Sequence, residues 1–204
     1  MIGKNTVAKK NIEVIGDFYG VSYDDKTFKN ISDILESYRQ IYFNKELFDV
    51  SVSGCEPLAD MLPYVYRSFI KNEPIGTRCV NKLVKQMLND EKTEDVLYDT
   101  LEAVKEFKAE TPDRGKDKEK AKEPIGKLYY EILRRLYFSE ANPVHTNIYN
   151  DLEITSHVYS YRKEEAIMLF CIYFWQRCLA LWTGWRDMEE AIKREEGRED
   201  LMDF

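Results

Sequence analysis

Apolar side chains recur at helical spacing along most of the chain, and the stripes they form predict a succession of amphipathic helices. Ile31, Ile34, Leu35, Tyr38, Ile41 and Tyr42 mark one of them, with Asn30 or Ser32 placed to cap it. A second is expected to start at Pro57, a residue suited to the first helical position, and to end before Pro74. Pro63 either kinks that helix or is its true start. A third runs from about Thr77 to Asn89. A fourth spans Thr93 to Lys108, with Glu94 and Asp95 in its first turn and Val96, Leu97, Leu101, Val104 and Phe107 as its stripe. Leu128, Tyr129, Ile132, Leu133, Leu136 and Tyr137 resume the pattern after Pro124. Strand-like alternation is confined to a weak signal near Ile12 to Tyr23, so the expected class is all-α, a helical bundle.

Between His145 and Phe170 the spacing fits a short helix, a tight turn and a longer second helix, which completes the expected fold with a C-terminal helix-turn-helix. Ile148, Leu152 and Ile154 would pack the first helix and the turn, and Tyr159, Ala166, Ile167, Leu169 and Phe170 one side of the second. The long helix continues through Phe170 to Trp185, FCIYFWQRCLALWTGW, apolar on nearly all sides. Such a surface must be covered, either by the N-terminal helices or by a second copy in a homodimer. For Tyr173, Phe174, Trp175, Trp182 and Trp185, core packing is favoured over a ligand-stacking role.

Residues 109–123, AETPDRGKDKEKAKE, lack any large apolar side chain and mix charges with Pro and Gly, the composition of a flexible linker or exposed loop. This divides the chain into an N-terminal helical domain, 1–108, and a C-terminal helix-turn-helix domain with an acidic tail, 124–204. The formal net charge is −7, and from Arg186 onward eight acids face four bases, so more than half of the excess sits in the tail. That balance excludes a protein that coats nucleic acid by bulk electrostatics, but leaves room for a local reading surface. No apolar run reaches the roughly 18 residues that span a bilayer. Without a signal-peptide core after the N-terminal lysines, the expectation is a cytoplasmic protein with no membrane partner. Cys55, Cys79, Cys171 and Cys178 form no CxxC pair and are expected reduced, Cys171 and Cys178 as small buried hydrophobes on one helix face. The two histidines, His145 and His157, lie outside any zinc-ligand spacing, and no phosphate loop, nucleophile elbow, HExxH or dinucleotide fingerprint is present. No metal, cofactor or catalysis is expected.

The order of residues in Leu152 to Ile167, LEITSHVYSYRKEEAI, resembles the helix-turn-helix of sigma-factor region 4 and of ArpU-type regulators carried by phages. Leu152, Ile154 and Thr155 fill the turn, Tyr159 the aromatic position, Arg162 and Lys163 the basic positions, and Glu165-Ala166-Ile167 the closing triplet, with the resemblance extending over Lys127 to Trp175. Ser32 to Tyr42 also looks like the opening helix of such regulators. Two positions depart from the family: Glu153 stands where Gly or Asn is frequent, and Ser156 where a basic residue is. The resemblance implies a sequence-specific transcriptional regulator of a phage or mobile element, binding double-stranded DNA in its major groove, with RNA polymerase or another protein as a further partner. Thr155 can cap the second helix and direct its free amides to a phosphate. Ser156, His157, Ser160 and Tyr161 offer donors and aromatic surface, and Arg162 with Lys163 could meet the backbone. Against this stand readings without DNA. Tyr159 suits the core, His157 the plain surface, and the Lys163-Glu164-Glu165 run a solvated face. The rival function is an acidic all-α protein-interaction module, an inhibitor or adaptor binding a host or phage protein.

Overall fold

The computed structural model describes residues 5–44, 58–89, 91–109 and 124–199, and among these the regular structure is entirely helical. The helices are α1 (Val7–Tyr19), α2 (Asp25–Phe43), α3 (Leu58–Phe69), α4 (Thr77–Asn89), α5 (Glu91–Lys105), α6 (Ile125–Tyr137), α7 (His145–Asp151) and α8 (Ser156–Glu199). None of the described helices is long and apolar enough to cross a membrane.

Local chemistry explains several boundaries. Thr6 caps α1 by accepting the Lys9 amide at 3.0 Å. Gly20, with φ +73°, closes the helix in the left-handed region, where the Val21 amide reaches back to the Gly16 carbonyl. The strand-like signal near Ile12 to Tyr23 is therefore overturned. Ala8, Ile12 and Gly16 are the buried positions, a four-residue repeat, whereas Val14 and Phe18, which supplied the alternation, face outward. The start of α2 also differs from expectation: Asp24 caps it, accepting from the Lys26 and Thr27 amides at 3.0 and 2.8 Å. Asn30 lies inside the helix, buried, and donates to the Ser68 and Glu73 carbonyls across the α3–α4 connection. Helix α3 runs through Pro63 from Leu58; Pro57 lies outside the described residues.

The long helix α8 is the axis of the molecule. It packs against α1, α2, α3, α5, α6 and α7, while α5 lies on α6 and α4 on both α2 and α5. Its continuous buried run Ala166 to Ile172, followed by Phe174, Trp175 and Cys178, is what an all-round apolar helix requires, a surrounding set of partners. Phe174 meets Phe69 and Trp175 meets Tyr66 of α3, and Phe170 meets Phe138 beyond α6. The aromatic surface expected either for the core or for a dimer contact is thus covered by the chain's own helices over these residues; the side chains of Trp182 and Trp185 lie outside those described. Helices from 1–108 and from 124–204 share one hydrophobic cluster, and residues 110–123, most of the expected linker, lie outside the described set, as does the end of the acidic tail. Cys79, Cys171 and Cys178 are free thiols, and burial raises the pKa of Cys171 and pushes that of Cys178 up to about 12; Cys55 lies outside the described residues.

Two helices approach closely at Gly126. A Cβ there would lie 2.3 Å from the Val104 carbonyl oxygen, 2.6 Å from that of Lys105 and 2.7 Å from the Phe107 amide nitrogen. Only glycine lets α6 begin against the end of α5, where the Gly126 amide donates to Phe107 and the Phe107 and Tyr129 rings stack.

Candidate nucleic-acid interface

The corner between α7 and α8 is built from a short helix held at both ends. His145 opens α7 and lies 2.6 Å from the Tyr159 hydroxyl through Nδ1, and Ile148 is buried. At the other end Asp151 pairs with Arg135 of α6 at 2.8 Å. The loop before α7 is pinned by Arg39, which donates to the Ala141 carbonyl and the Asn142 side chain. Glu153 adopts φ +54°, and the Ile154 amide donates to the Tyr149 carbonyl. This is the left-handed reversal that glycine or asparagine adopts at least cost. Thr155 then caps α8, its Oγ1 accepting the Val158 amide at 3.2 Å.

Four of the expected contact residues share an exposed surface at this corner: Thr155, Ser156, His157 and Ser160. The His157 ring lies edge-on to Tyr161, and Lys163, half-buried, holds its Nζ 6.0 Å from the centre of the Tyr159 ring. Tyr159 is buried and its hydroxyl pKa is pushed up to about 12 by that burial. The pKa of His145 is lowered, first by burial and then by the charge of Lys163.

The other two expected contacts turn inward. Tyr161 is 8% exposed and Arg162 is 4% exposed. Arg162 cannot meet a phosphate from there: its Nη1 donates to Glu165 Oε2 at 2.7 Å and lies 3.4 Å from the Tyr129 hydroxyl, with the Tyr161 ring against the guanidinium. Burial disfavours its charge, but the Tyr129 and Glu165 oxygens more than offset this and raise its pKa. Glu165, expected on a solvated face, is 1% exposed. It also accepts from Tyr129 at 2.7 Å and from Thr6, the residue that caps α1. One carboxylate therefore ties the start of α1, the middle of α6 and the second and third turns of α8 together. Burial, then the charge of Glu165, raises the Tyr129 pKa.

Sequence reasoning missed this cluster, although part of its signal was present. Tyr159, Arg162 and Ala166 follow a three- and four-residue spacing on the buried stripe, and Arg162 has its counter-charge at i+3. Thr6 and Tyr129 come from too far along the chain for any local pattern to assign them. What remains outward is a row of neutral donors with one half-buried lysine, beside the exposed acids Asp151 and Glu153. Among the described residues no group of three His, Cys, Asp or Glu side chains converges to hold a metal. No protein-family model, curated protein or solved structure matches the chain.

Proposed function

We propose that the chain is a sequence-specific DNA-binding regulator of phage or mobile-element type, in which α7 and α8 act as a helix-turn-helix and the start of α8 enters the major groove. The observation that carries the reading is the division of the first turns of α8: Thr155, Ser156, His157 and Ser160 are exposed on one face, while Tyr159, Arg162 and Glu165 tie the other to the body, with Tyr161 buried against Arg162. A groove-reading helix needs this combination of free polar donors and a rigid backing. The left-handed Glu153 and the Thr155 cap supply the turn. The contact set becomes Thr155, Ser156, His157, Ser160 and Lys163, with Tyr161 and Arg162 as the support behind it. With one lysine at the face, the phosphate contribution is small, so affinity depends on a second copy or on a partner such as RNA polymerase. Binding to duplex DNA at low salt, followed by mobility shift, tests this. Lys163→Ala is expected to weaken binding to all sequences and to reduce the salt slope by about 1. Unretarded duplex at low salt overturns the reading.

The burial of Arg162 favours a second reading. With its cation neutralised by Glu165, and with Glu153 and the Arg135-paired Asp151 beside the exposed row, the corner also suits an interaction module that binds a protein surface. Affinity capture with and without nuclease separates the two. Partners lost on nuclease treatment support DNA, and partners retained support direct protein contact.

A further inference from the structure

Helix α1 carries an apolar stripe on the side away from the core. Val7, Val14 and Phe18 are 40%, 69% and 81% exposed, while Ala8, Ile12 and Gly16 bury the opposite side. At about 100° per residue the three exposed side chains lie within about 40° of one another, a continuous ridge along the helix. Lys10 and Asp17, both exposed, are two turns apart on one flank of that ridge, with the lysine towards the N-terminal end and the aspartate towards the C-terminal end. Among the described residues neither side chain has a charge partner in the chain.

We infer that this face pairs with the same face of a second copy, the two α1 helices antiparallel about a two-fold axis near Val14. A two-fold axis perpendicular to the plane of the helices keeps each flank on its own side. It brings Lys10 of one copy opposite Asp17 of the other, twice, and seats Phe18 of each copy between Val7 and Val14 of its partner, with Val14 near the centre. A face whose charges have opposite sign at its two ends, beside an apolar ridge that ends in a large aromatic, is complementary to itself. The antiparallel arrangement also opposes the helix dipoles. The contact is a single helix pair, smaller than the roughly 800 Å² per partner of a standard interface, so the association belongs to the micromolar range or weaker. It does not depend on the DNA reading.

Sedimentation equilibrium of the full chain over roughly a hundredfold range of concentration, from about 5 μM upward, tests the inference. The wild type is expected to pass from monomer towards dimer. Phe18→Ser is expected to weaken association by about tenfold or more while leaving the circular dichroism spectrum unchanged, because Phe18 is exposed in the monomer. Lys10→Glu and Asp17→Lys should each weaken it severalfold, and the double exchange should restore it. A wild type that stays monomeric throughout overturns the inference. So does a dimer indifferent to Phe18→Ser, or a double exchange no better than the single ones.

Discussion

Replacing Glu165 by leucine removes the acceptor shared by Arg162, Tyr129 and Thr6 and leaves a buried guanidinium with a hydroxyl and a tyrosine ring as its neighbours. Breaking a buried pair in this way costs about 3–5 kcal/mol, a large part of the roughly 5–15 kcal/mol that holds a domain folded. Arg162→Met leaves Glu165 with two hydroxyl donors, so its expected cost is smaller, about 2–3 kcal/mol. The double variant carries no buried charge. Its losses are the partners of the Tyr129 and Thr6 hydroxyls, set against the removed desolvation of two ions, and about 1–2 kcal/mol is expected. The two single costs together exceed that of the double variant by about 3 kcal/mol or more, a coupling that a double-mutant cycle measures. Urea denaturation followed by far-ultraviolet circular dichroism is sufficient. Additive effects, or single variants each costing under about 1 kcal/mol, would mean that the pair is solvated and that α8 is not anchored at this point.

Further expectations come from backbone and titration. Gly126→Ala should lower stability by about 2–3 kcal/mol in denaturant titration, overpacking against three backbone atoms and loss of the bond to Phe107 outweighing the roughly 1 kcal/mol helical gain of alanine; a stabilised variant would contradict the close approach of α5 and α6. Glu153→Gly should raise the melting temperature by relieving about 1 kcal/mol of left-handed strain, and an unchanged or lower value counts against the turn as described. His145 has a folded pKa below the usual 6.5, so its contribution to stability is complete above that value and is lost as pH falls through the lowered one. Between about pH 7.5 and 5.5 the wild type should lose more stability than His145→Gln, and parallel profiles would refute this.

Helices that bury a regular apolar stripe were legible from spacing alone. Thr77 to Asn89 emerges with the boundaries its pattern predicts, and the α6 residues Tyr129, Ile132, Leu133, Leu136 and Tyr137 are all buried. Where polar residues enter the core, local rules misassign them. Asn30 and Asp24 are both good caps by residue type. The choice falls to Asp24 because Asn30 is required by carbonyls more than thirty-five residues away, and Asn72, with φ +53°, donates back to Asp24. Arg162 illustrates the same limit at the candidate site: near the start of a helix it resembles a phosphate contact, and its burial against Glu165 and Tyr129 of α6 shows that it is core. Val14 and Phe18 misled for the opposite reason, since apolar residues on a solvent face imitate alternation. The exposed corner of Thr155, Ser156, His157 and Ser160 was legible because a cap, a tight turn and a helix start are all local features.

Selection of bound duplexes from a fully randomised DNA pool, at low salt and repeated with His157→Ala and Ser160→Ala, tests whether the start of α8 reads DNA sequence. The wild type is expected to enrich one short motif, the two variants to shift or blur it, and a Lys163→Ala control to keep it at lower yield. A pool recovered without enrichment, or a motif unaltered by either change at the start of α8, would contradict this expectation.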